Sequence, residues 1–95
     1  MASRYWVSAV SSNWNNTANW STSSGGSGGA SVPGASDDVF FDGSGLGDCV
    51  IDAAVNVQSI YNDDTYTGHF DNATNNQSIT VGTGGFLFFR GSLSM

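Results

Sequence analysis

His69 and Cys49 are the only histidine and the only cysteine in this chain, so they carry what acid–base or thiol chemistry it has near neutral pH. A Ser-His-Asp or Cys-His set would have to be assembled around His69 from distant partners. No nucleophile elbow is formed, because that motif needs a helix and no segment here reads as one. A lone histidine in a strand is ordinarily structural, and Cys49, followed by Val50 and Ile51, reads as a small buried hydrophobe. The paired carboxylates Asp37/Asp38 and Asp63/Asp64 suggest glycoside hydrolysis, which needs two carboxyl groups facing one cleft. Adjacent strand residues point to opposite faces, so turn-capping is the better account of both pairs. Asp42, Ser44 and Asp48 flank a glycine-rich loop and offer oxygen ligands to calcium, but at a spacing unlike an EF-hand. Zinc would lack ligands. The residues therefore imply no catalytic set, no metal and no cofactor, and the expected chemistry is that of contact.

Aromatic side chains are the substance of such contact. Trp6, Trp14 and Trp20 all fall early in the chain, among small and polar neighbours, and Tyr61 and Tyr66 follow later. Exposed rings stack on the apolar faces of sugars while Asn and Asp bond hydroxyls, so Trp14, Trp20, Tyr61 and Tyr66 are the candidates for a glycan contact. The competing reading, and the heavier one, has the tryptophans clustered in a core that anchors the loop behind them. Asn-X-Ser/Thr sequons at Asn15, Asn19, Asn72 and Asn76 carry little weight in a chain this rich in those residues.

The elements that must position these side chains are strands. Leucine is scarce, and Gly, Ser, Thr, Asn and Asp, which favour turns over helix interiors, dominate. Hydrophobic content of 39% and aromatic content of 13% supply burial energy that a disordered tract lacks. Apolar segments at residues 5–10, 39–41, 49–51, 55–61, 69–70, 79–81, 86–89 and 93–95 recur about ten residues apart, the spacing of short strands. Alternation in the fourth puts Val55, Val57, Ser59 and Tyr61 on one face and Asn56 and Gln58 on the other. Residues 86–89 are apolar on both faces, so both need cover. Residues 21–36 have linker composition, yet a flexible linker would part the tryptophans from their core; an ordered surface loop returning Val32 and Pro33 to the body is expected.

The 95 residues make one module, 1–35 being the aromatic strand with its Trp and Gly-Ser loop and 36–95 the strand-and-turn body. The expected fold is all-β, a small β-sandwich or jelly-roll-like unit, with a short parallel β-solenoid as the alternative. Two arginines stand against eight aspartates, a formal net charge of -6, so a nucleic-acid partner would be repelled. No apolar run reaches the ~20 residues a spanning helix needs, which argues against a membrane partner. Three residues precede Arg4 with no basic or hydrophobic leader, so no export signal is expected ahead of it.

The run Arg4-Tyr5-Trp6-Val7, Asn13-Trp14, Asn19-Trp20-Ser21, Ser23 through Pro33 and Asp37-Asp38-Val39-Phe40-Phe41-Asp42 resembles an opening block of two groups of proteins. One is the structural proteins of tailed bacteriophages, notably marine ones; the other is large surface proteins of Bacteroidetes-type bacteria. Val50-Ile51-Asp52, Val57-Gln58-Ser59-Ile60, Phe70 through Asn76 and Gly91-Ser92-Leu93 extend the likeness. The resemblance implies a virion structural protein assembled in the host cytoplasm, a capsid decoration or cement subunit or the base of a fibre or spike; its partners would be copies of itself and other virion proteins. The alternative it implies is an adhesin domain on a bacterial cell surface, either protein- or glycan-binding. For the subunit reading the interface residues are Tyr5, Val7, Phe86, Leu87, Phe88, Phe89, Leu93 and Met95, apolar positions near the two ends of the chain. Against that, the N-terminal strand could itself pair alongside and seal the sheet.

Overall fold

The computed structural model describes residues 2–62, 65–88 and 92–94, those from 86 onward by backbone alone. Its strands are β1 (Ser3–Trp6), β2 (Ser12–Asn13), β3 (Trp20–Ser21), β4 (Asp38–Phe41), β5 (Cys49–Val50), β6 (Val55–Asn62), β7 (His69–Asp71), β8 (Ile79–Phe88) and β9 (Ser92–Ser94). The all-β expectation holds: among the described residues the helical content is a single 3-10 turn, Thr17–Asn19.

The pairing is not that of a jelly roll. Two sheets form, in the orders β3-β1-β4-β6-β8 and β2-β5-β7-β9. Only the β1–β3 ladder is antiparallel, whereas β1–β4, β4–β6, β6–β8, β2–β5, β5–β7 and β7–β9 are parallel. The chain lays a strand in the longer sheet, crosses to lay one in the shorter sheet, and returns one position further along the first. Parallel neighbours need such crossovers, because a tight hairpin joins only antiparallel strands.

Alternation in β4 sends Val39 and Phe41 inward and leaves Asp38 and Phe40 half-buried on the outer face. In the short sheet Cys49 pairs in register with Phe70, and both are fully buried. Between the sheets Trp6, Trp14, Trp20, Phe41, Tyr66 and Phe70 form one cluster, with neighbouring ring centroids 4.8–6.3 Å apart. Edge-to-face geometry dominates it, as at Trp14–Trp20 and Phe41–Phe70, and each such pair adds about 0.5–1.5 kcal/mol beyond area burial. The polar ends of the rings are satisfied inside: the Trp6 indole N–H and the Tyr66 hydroxyl both donate to the Gly47 carbonyl, and the Trp20 N–H donates to that of Trp14. Among the described residues no buried side-chain polar atom lacks a partner.

The face assignment expected for β6 needs one correction. Val55 and Val57 point inward as expected, but the alternation changes phase between Val57 and Ser59, so Ile60 and Asn62 point inward while Ser59, itself buried, and Tyr61 lie on the outer side with Asp38 and Phe40. The cause is a register shift against β8, where Val57 pairs with Val81 but Ser59 pairs with Gly85. Gly85, at φ +78°, takes the left-handed conformation that an L side chain resists.

Residues 21–36 form an ordered loop folded back on the body. Ala30 N–H donates to Trp20 C=O and Gly29 N–H to Thr17 C=O, while Ala30 and Val32 pack on the core and Pro33 is buried. Gly28 crosses the 3-10 turn so closely that a Cβ there would collide with the Ala18 carbonyl. The radius of gyration, 11.5 Å, is that of a compact domain, for which about 12 Å is expected at this length.

Candidate functional site: an aromatic column on the outer face

Parallel register aligns residues of successive strands into columns, and one column gathers the large rings that the core leaves out. Tyr5 pairs with Phe40, Phe40 with Tyr61 and Tyr61 with Leu87, so the column crosses β1, β4, β6 and β8. Its first three rings are stacked, centroids 4.8 and 5.2 Å apart and planes within 17° in both pairs. That separation is close to the ~4.8 Å between neighbouring strands, so the ladder itself sets the stacking. All three side chains are half-buried. Beside them runs a column of small or short residues, Ser3, Asp38, Ser59 and Gly85. There the Ser59 hydroxyl donates to the Asp38 carboxylate at 2.6 Å, tying β6 to β4. The outer face thus carries a row of three stacked rings across β1, β4 and β6, beside Ser3, Asp38 and the fully buried Ser59.

This geometry sorts the sequence-based candidates. Tyr5 is in the column, and Leu87 occupies its fourth position by backbone register. Val7 is half-buried just beyond β1, its N–H donating to Asn19 C=O. Phe86 and Phe88 pair with Ile60 and Asn62, and Leu93 with Phe70, positions whose partners are buried. Phe89 and Met95 lie outside the described residues, as do Asp63 and Asp64. Of the glycan candidates, Trp14, Trp20 and Tyr66 are fully buried and present no ring face to a ligand; the core reading of the tryptophans is the one the structure shows. Tyr61 remains on the outer side, with one ring face against Phe40. Phe40, the centre of the column, was not singled out from the sequence. The signal was there in the Val39-Phe40-Phe41 run, since alternation must put one of two adjacent phenylalanines outside.

The polar candidates are occupied by the fold. Asp42 accepts from the Ser24 hydroxyl and the Ser44 N–H, and Asp37 accepts from Gly34 N–H. Partial burial pushes the Asp42 carboxyl up, but these bonds outweigh it and hold it below the usual carboxylate range. Asp48 accepts the N–H of His69, and Asp52 accepts that of Asn15. Among the described residues no three His, Cys, Asp or Glu side chains converge as metal ligands would. Burial, with the Asp52 charge, pushes the Cys49 thiol well above its ordinary range, which keeps it protonated and unreactive. Tyr66 is pushed up as well, first by burial and then by the Cys49 and Asp48 charges. Among the described residues no enclosed pocket forms and no helix is long and apolar enough to cross a membrane. Comparison with protein-family models, with curated proteins and with solved structures finds no match to this chain.

Proposed function

We propose that this chain is a structural building block that works by protein–protein contact, a short parallel β-solenoid capped at one end and docked on neighbouring subunits through its outer aromatic column. The setting we propose is a virion, where it would decorate or cement a capsid or form the base of a fibre or spike. The observation that carries the reading is the Tyr5–Phe40–Tyr61 stack, an apolar ridge held on the solvent side of a sheet by parallel register. Subunit interfaces favour aromatic side chains at their centres with polar rims around them. The net charge of -6 keeps free copies apart in solution until a specific contact forms.

The column also favours this reading over its rival. A sugar platform needs exposed ring faces, whereas here the faces are pressed together and the edges turned outward; that leaves the glycan reading with Tyr61 alone. Sedimentation velocity over a range of concentrations, on the parent and on Phe40→Ser, tests the proposal. Association in the parent that Phe40→Ser abolishes with unchanged far-UV dichroism supports docking. A monomer at every concentration that binds a glycan array, with binding lost in Tyr61→Ala, refutes it in favour of the adhesin. Capsid and portal genes beside this one would support the virion setting, and secretion genes would argue for the cell surface.

A further inference from the structure

The first coil of the chain has outward backbone groups taken by residues 19–31 and by the Arg4 side chain that Ser31 holds. Asp38 N–H donates to Ala2 C=O, so Arg4 shares the β4 side of β1 with that group and Ser3, Tyr5 and Val7 face the opposite, outer edge. On that edge Ser3 C=O accepts from the Arg4 guanidinium, whose other nitrogens grip the Ser31 carbonyl and hydroxyl. Tyr5 is paired with Ser21 of β3, and Val7 N–H donates to Asn19 C=O. The second sheet is closed by a side chain. Ser12 and Trp14 donate toward β5, which turns the Asn13 carbonyl outward, and there it accepts from Asn19 Nδ2 at 2.9 Å. The same Asn19 amide also holds the Ser12 hydroxyl, and the residue is itself buried. Asn19 thus stands in for a strand that the short sheet lacks. Behind this layer, Gly29 and Ala30 bond back to Thr17 and Trp20.

Parallel ladders extend wherever an edge is left free, because every unpaired N–H and C=O row is a template for another strand. We infer that the segment from Trp14 to Ser31 is a stop: it prevents β-strand addition at the β1–β2 end and so keeps copies of this chain from stacking head to tail. The device is specific to one end. Strand addition, by a second copy or by other chain, is confined to the β8–β9 side, which makes the module directional. This stands apart from docking through the aromatic column, which lies on a face and not at an edge.

The test opens the cap and watches for stacking. Gly28→Val drives a side chain into the Ala18 carbonyl and should lift the 28–30 segment without altering a core residue. The double variant Arg4→Ala/Asn19→Ala bares the Ser3 and Asn13 carbonyls without adding volume. Each is compared with the parent at equal concentration by sedimentation velocity and negative-stain electron microscopy, with far-UV dichroism to show that the sheets persist. The expected result is elongated species at least tenfold heavier than the parent particle. Val81→Pro, added to either variant, should return them to the parent's size. Val55 N–H donates to Ser78 C=O, so Val81 sits on the outward phase of β8, where proline removes an edge donor and spares the β6 ladder. Variants with intact dichroism that keep the parent's size would overturn the inference, as would heavy species indifferent to Val81→Pro. If Gly28→Val loses its β signal, the double variant decides by the same criteria; loss of the β signal in both would show the segment to be required for folding and overturn its role as a separable stop.

Discussion

Adjacent residues Phe40 and Phe41 lie on opposite sides of β4, and replacing each by alanine should have very different costs. Phe41 is fully buried and has Trp6, Trp14, Trp20, Tyr66 and Phe70 within 5.1–6.3 Å of its ring centre. Its removal leaves a cavity that five large rings cannot collapse into, and Phe→Ala in such a site costs about 3–5 kcal/mol. Phe40 is half-buried with two stacked partners. Losing half of a full burial, about 1 kcal/mol, and two stacked pairs at the lower end of their range, about 1 kcal/mol together, gives a total near 2 kcal/mol. A domain of this length has about 5–14 kcal/mol in all, so Phe41→Ala removes a distinctly larger share of it than Phe40→Ala. Urea titration followed by dichroism and tryptophan emission measures both, and the midpoint of Phe41→Ala should fall about 1.5 to 2.5 times as far as that of Phe40→Ala. Equal losses, or a larger loss at Phe40, would mean that β4 has the opposite phase, and the inward cluster and outward column would both be wrong.

Four further outcomes are expected. Asp42 and Asp71 both have carboxyl groups held below their ordinary range; at Asp71 desolvation works upward but the bonds from Thr74 and Ala73, with the His69 charge, together prevail. Their contribution is therefore complete above the unfolded carboxylate range and lost as pH falls through the lowered folded values. Urea midpoints should thus decline with acid, and less steeply in Asp42→Asn/Asp71→Asn. Ser59→Ala removes the donor to Asp38 and should cost about 1.5 kcal/mol, seen in the same titration. Cys49 should resist a thiol reagent in the native state at neutral pH and react fully in denaturant; fast native labelling would contradict its burial. Asn19→Ala leaves the Asn13 carbonyl without its side-chain donor and should cost about 1–3 kcal/mol by thermal or urea unfolding.

The residue pattern carried the strand class and the burial of the tryptophans, because period-two alternation and local composition are local properties; it missed that residues 82–85, glycine-rich and turn-like, continue one strand from Ile79 to Phe88. It did not carry the direction of pairing. Phe40 and Tyr61 are 21 residues apart in register, as are Cys49 and Phe70, but Tyr5 and Phe40 are 35 apart because the cap is inserted between them. In the β6–β8 ladder the separation is 24 residues before the register shift and 26 after it. With one regular interval and irregular ones on both sides, no repeat stands out, and strands about ten residues apart fit hairpins as well as half-turns of a coil. The aromatic column was hidden for the same reason: Tyr5 and Tyr61 become neighbours of Phe40 only once parallel register is known. The exchange of faces between Val57 and Ser59 could not be foreseen either, since it depends on how β8 passes those two residues.

Because the antiparallel β3 and its loop precede β6 and β8 along the chain, they leave the ribosome before either of those strands exists. Each newly made segment then meets a surface already laid down one turn earlier, and winding proceeds in the order of translation. Exposed strand rows are a hazard for nascent chains, and here the hazard is restricted to a single travelling front.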